Sequence, residues 1–161
     1  MNLHAQFRSG RIFVVMLSLV FSAVATVGHA KSKAVDLKIQ SLVNEVKTQE
    51  RDARRVEAAR QLSAFVKQQD RKAVESISDE SLRAIASLLK DRSDIVVAFA
   101  AITLGDIGPP AKPVRGALQA AIDNVGFAVD EKFGKFGVSS NAVLDMRRAL
   151  KKISGESEVG R

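Results

Sequence analysis

Eight consecutive residues, Ile95-Val96-Val97-Ala98-Phe99-Ala100-Ala101-Ile102, carry no polar side chain and sit between a helix start and a helix stop. Ser93 is a favoured N-cap type, and Asp94 sets a negative charge at the positive end of the backbone dipole. Gly105 and Gly108 punctuate the far end, and Pro109-Pro110 forbid continuation. A helix apolar on every side is buried on every side. The run to Leu104 is therefore expected at the centre of a helical domain, enclosed by its neighbours.

The surrounding segments supply the helices that enclose it. Lys33 to Gln49 spaces Val35, Ile39, Leu42, Val43 and Val46 as one amphipathic stripe, and Asp52 to Lys67 does the same with Val56, Ala59, Leu62, Phe65 and Val66. Ser78, followed by Asp79 and Glu80, predicts a third helix start, with Ile77 and Leu82 as a hydrophobic staple and Leu82, Ile85, Ala86 and Leu89 inward. The Ser93 helix is the fourth. Pro113 suits the first turn of a fifth, with Val114, Leu118, Ala121, Ile122 and Val125 toward the core. After a loop from Gly126 to Ser139, a last helix starts near Ser140 with Val143, Met146, Leu150 and Ile153 inward. No segment has the alternation of a strand. The expected fold class is all-α.

The N-terminus reads as an export signal. Arg8 and Arg11 precede a charge-free run from Ile12 to Val27, which ends in small residues. Sixteen apolar residues fall short of the roughly 20 that span a bilayer core. Cleavage is expected after Ala30, where Gly28 breaks the apolar run, with Ala25 as the alternative. The chain then divides into a signal peptide (1–30), a helical domain (31–154) and a polar tail (155–161), and localises to the periplasm or outside the cell.

Cleavage leaves 131 residues with 23 basic and 18 acidic side chains, enough chain for a core without metals or disulfides. Both histidines, His4 and His29, leave with the signal, and there is no cysteine. Ser–His and Cys–His nucleophilic catalysis and His/Cys zinc sites are thereby excluded. Gly134-Lys135-Phe136-Gly137 lacks the spacing of a phosphate loop. Carboxylates such as Asp91/Asp94 or Asp130/Glu131 are the remaining acid/base candidates, but the first pair flanks a helix cap, where acids have a structural reason to be. No cofactor, metal or enzymatic activity is expected.

The helices also repeat. Ala58-Ala59-Arg60-Gln61-Leu62-Ser63-Ala64-Phe65 aligns with Ala100-Ala101-Ile102-Thr103-Leu104-Gly105-Asp106-Ile107 at an offset of 42 residues, and Arg148 to Ile153 aligns with Ile102 to Ile107 at 46. Periods of this length with two helices each belong to helical-repeat architectures. The stretch Asp94 to Ala111 resembles a HEAT repeat: Asp, then Val, two Ala, Leu-Gly, Ile-Gly, and Ala after Pro. The resemblance is best over 91–125 and covers about half of the mature chain. It departs at Val97, where the family usually carries an Arg that ties adjacent repeats. It implies a short right-handed α-α superhelix of HEAT-like hairpins and a role in presenting surfaces to protein partners.

Taking the helices around Arg83 and around Arg115 as the second members of their pairs places Arg83, Ser87, Lys112, Arg115 and Gln119 on the concave face, as the partner-binding candidates. Arg51, Arg54, Arg55 and Arg60 on the second helix, and Arg147, Arg148, Lys151 and Lys152 on the last, suit an anionic partner, but the acids interleaved on the second helix favour a solvated face. Phe127, Phe133 and Phe136 in the 126–139 loop form either a partner patch or, preferably, a cap over the open end of the array. Export and the lack of Trp and Tyr argue against nucleic acid. The expected function is non-catalytic binding of another protein or macromolecule in the cell envelope; the alternative is a periplasmic immunity protein neutralising a toxin or enzyme.

Overall fold

A computed structural model describes residues 32–127 and 140–156, with side-chain surroundings for 32–124 and 141–156. Every regular element among them is helical: α1 (32–48), α2 (Asp52–Lys67), α3 (Arg71–Glu75), α4 (Asp79–Ser87), α5 (Asp94–Ile107), α6 (Arg115–Phe127) and α7 (Ser140–Ser154), with 3-10 turns at Leu88–Lys90 and Pro109–Val114. The segment expected to be an export signal, the Phe133 and Phe136 part of the loop, and the end of the polar tail lie outside the described residues. None of the described helices is long and apolar enough to cross a membrane.

The expected stripes are the core. Val35, Ile39, Leu42, Val43 and Val46 of α1 are all buried, as are Leu62 and Val66 of α2 and Leu82, Ile85 and Ala86 of α4. Ser78 caps α4 by accepting from the Ser81 N–H at 3.2 Å, and Ile77 and Leu82 are buried beside it. The cap is itself held from 42 residues away. Asp36 of α1 accepts from both the Ser78 N–H (3.0 Å) and the Ser78 hydroxyl (2.9 Å), joining α1 to the start of α4. The short helix α3 is unannounced by any apolar stripe. Asp70 starts it by accepting from the Ala73 N–H at 2.9 Å, and only Ala73 is buried within it.

The helices pack in two rows. In the second row α5 lies between α2 and α7, touching both along its length. Beneath it, α4 packs on α5 and α6 on α7, and the 109–114 turn bridges α4, α6 and α7. Small residues set the α5–α7 spacing. Gly105 lies inside α5 rather than ending it, and a Cβ placed there would come 3.0 Å from the Ala149 Cα. Gly108 does the stopping, with φ +69°, a conformation that side chains beyond glycine rarely adopt. Gly155 stops α7 likewise at φ +75°, as the Gly155 N–H donates to Lys152 O and the Glu156 N–H to Lys151 O.

Two expectations change at α5 and α7. Val96, Val97, Ala100, Ala101, Leu104 and Ile107 of α5 are buried, but Ile95 is 55% exposed and Ala98, Phe99 and Ile102 are half-buried. A helix with neighbours on two sides and a row beneath keeps one side uncovered, so the apolar run is central without being enclosed. On α7 the buried stripe is Ala142, Met146, Ala149 and Ile153, with Val143 and Leu150 half-buried. The helix turns its alanines down because it must approach Gly105 closely.

Candidate functional site

The five partner-binding candidates are all exposed, for the reason their helices form. Turning Leu82, Ile85 and Ala86 inward leaves Arg83 and Ser87 outside on α4, and burying Val114, Leu118 and Ile122 leaves Lys112, Arg115 and Gln119 outside. The Ser87 hydroxyl donates to Ala84 O at 2.6 Å, and the Gln119 amide donates to the Asp123 carboxylate at 2.8 Å. Contact between α4 and the 109–114 turn puts the set on adjacent elements of one row. In chain order α4 precedes α5 and α6 precedes α7, so this side is termed the first-helix row, and α2, α5 and α7 the second-helix row.

The basic cluster on α2 separates into different roles. Arg51 and Arg54 are exposed, whereas Arg55 is an internal tie, its side chain 8% exposed. Its guanidinium pairs with Asp91, itself 9% exposed, and donates to Asp52 at 3.1 Å. Asp52 also receives Arg92 at 3.2 Å, and Asp91 accepts from the Ser93 N–H at 2.8 Å. The expected Ser93 hydroxyl cap is not formed; Asp91 organises the entry to α5 instead. Asp91 is thus part of the tie between α2 and the entry to α5. Sequence reasoning passed over this tie, although the signal was present: carrying the 42-residue alignment a few residues earlier sets Asp52 against Asp94 and Arg55 against Val97.

Arg60 is exposed and gripped by Glu57, with guanidinium contacts of 2.9 and 2.8 Å, while Gln61 donates to the same carboxylate at 3.0 Å. These hydrogen bonds, Arg60's first, lower the Glu57 pKa to about 2 and raise that of Arg60. On α7, Arg148 pairs with Asp145 and Lys152 with Asp106 of α5, both at 3.4 Å. Lys151 and Lys152 also sit in the last turn of α7, where cations meet the negative helix end.

Two shallow grooves follow the α5–α7 seam. One, of about 380 Å³, has Gly105 and Ala149 as floor and Ile102, Asp145, Arg148 and Lys152 as walls. The other, about 410 Å³, continues past Gly108 and Pro109 to Lys151 and Glu156. Charges of both signs line them, with Arg148 paired to Asp145 and Lys152 to Asp106. Among the described residues no three His, Cys, Asp or Glu side chains gather as a metal site would require. Asp130/Glu131 and the aromatics Phe133 and Phe136 lie outside the described residues. Comparison with known proteins finds no matching family model, no matching curated protein and no matching solved structure.

Proposed function

We propose that this protein is an exported, non-catalytic helical-repeat domain of HEAT-like construction that binds another protein or macromolecule in the cell envelope. The observation that carries the reading is the recurrence of ties across 40–46 residues: Asp36 to Ser78 (42 residues), Arg92 to Asp52 (40) and Lys152 to Asp106 (46). Helix pairs tied at a similar period form broad, extended surfaces suited to macromolecules rather than enclosed pockets suited to small substrates. The first-helix row offers Arg83, Ser87, Lys112, Arg115 and Gln119 to an acidic partner.

Affinity capture from an envelope extract, read by mass spectrometry, tests the proposal. Lys112→Glu with Arg115→Glu should weaken capture of the same partner and flatten its salt dependence, because rim charges steer association. The matched control is Arg51→Glu with Arg54→Glu, both exposed; Arg55 is unsuitable because it is internal. Equal loss in both variants reduces the contact to bulk charge, and no loss in either removes this row. For export, the intact mass should correspond to a chain starting at Lys31. Retention of Met1 in a membrane fraction would overturn it.

A further inference from the structure

The exposed side of the second-helix row carries a pattern that the partner-binding reading leaves unused. Along α5 it is apolar: Ile95, Ala98, Phe99 and Ile102, spaced i, i+3, i+4, i+7. On either side stands the same device. Glu57 and Arg60 form an exposed i,i+3 ion pair on α2, and Asp145 and Arg148 form one on α7. The repeat offsets put them level. Adding 42 to 57 and 60, or subtracting 46 from 145 and 148, gives 99 and 102 in both cases. The 46-residue register is realised in space by the Lys152–Asp106 contact and by Ile102 sharing a groove with Arg148. On these registers the face has an apolar centre with, on the α7 flank, a carboxylate at the level of Phe99 and an arginine at the level of Ile102, and the 42-residue repeat assigns the same order to the α2 flank.

We propose that this face binds a second copy of the chain, α5 against α5 in antiparallel sense. A two-fold axis lying in the interface and crossing α5 midway between Phe99 and Ile102 keeps each flank opposite itself and reverses direction along the helix. Glu57 then meets Arg60 of the other copy, Asp145 meets its Arg148, and Phe99 meets its Ile102 at the centre of the face. An isologous contact demands this self-complementarity. An unrelated partner would have to match the same sign order on two flanks, whereas a second copy does so by symmetry. The area is adequate. Fourteen residues of α5 at about 1.5 Å rise, across three helices roughly 9 Å apart, give a face of about 20 by 27 Å. Two such faces bury roughly 1,000 Å², the lower bound for a specific interface. The α4/α6 row remains free on the far side of each copy.

Sedimentation velocity on the full chain over a dilution series reads the outcome, and circular dichroism confirms that each variant is folded. Wild type should pass from monomer to dimer with concentration. Arg60→Glu with Arg148→Glu makes both flanks acidic, and Glu57→Arg with Asp145→Arg makes both basic. Each should dimerise at least about a hundredfold more weakly, since like charges are then opposed. Mixed in equal amounts, the two variants should recover a dimer of one of each. Ile102→Glu tests the apolar centre without touching an ion pair and should also leave a monomer. A wild type that stays monomeric at every concentration, as it would if another partner or another part of this chain owned the face, overturns the proposal. So does a mixture that fails to associate, or a dimer that survives Ile102→Glu.

Discussion

Arg55→Ala should be among the most destabilising single changes outside the apolar core. Arg55 and Asp91 are both more than nine-tenths buried and pair directly, so truncating the arginine leaves a carboxylate in the interior with its counter-charge removed. Losing one partner of a buried pair typically costs 3–5 kcal/mol. Here the lower end applies, about 3 kcal/mol, because Asp91 keeps the Ser93 N–H, and Asp52, mostly exposed, keeps Arg92. Asp91→Asn should cost less, about 2 kcal/mol, since Asp52 still neutralises Arg55 and the amide oxygen can still accept from Ser93. The double variant should cost little more than Arg55→Ala alone, giving a coupling of about 1.5–2 kcal/mol. Urea unfolding followed by circular dichroism is the assay. With a slope of about 1.5–2 kcal/mol/M, the Arg55→Ala midpoint should fall by roughly 1.5–2 M. A shift under about 0.5 M, or additive single effects, would mean the pair behaves as a solvated surface bridge, and the tie between α2 and the entry to α5 would carry no weight.

Gly105→Val should lower the melting temperature by roughly 5–10 °C, because branching at Cβ meets the Ala149 backbone at 3.0 Å and α7 must move away; Gly105→Ala should cost less, as helix propensity offsets part of the crowding. Leu104→Ala should cost about 2–5 kcal/mol in chemical unfolding and Phe99→Ala less, about 1–2, since Leu104 is fully buried and Phe99 is only partly so; equal losses would refute the uncovered side of α5. NMR titration should find Glu57 ionising near pH 2, well below the usual glutamate value of about 4.3. Because the folded value is the depressed one, the stabilisation from its pairing with Arg60 is present above about pH 4.3 and is lost as pH falls through about 2; the Arg60→Gln variant should return Glu57 toward the ordinary value.

Helix starts, helix stops and inward stripes were legible in the residues, because each depends on neighbours within three or four positions. Ser78 with its staple, Gly108 before two prolines and the five buried residues of α1 needed nothing from elsewhere in the chain. The exposure of Arg83, Ser87, Lys112, Arg115 and Gln119 was legible for the same reason, as the complement of those stripes. What the chain alone left open were the relations between segments about forty residues apart. Only the packing of α5 against α2 and α7 decides that Gly105 is a contact point rather than a stop, and that α4 and α6 belong to the first-helix row. It also leaves Ile95, whose local pattern is that of core, facing outward and Phe99 only partly covered. Arg55 is the sharpest case: within its own helix it looks like one more surface arginine, and it becomes internal because Asp91, thirty-six residues on, is folded against it. Local periodicity specifies which side of a helix is apolar, whereas burial is a property of what the other helices cover, and that is set by tertiary contact.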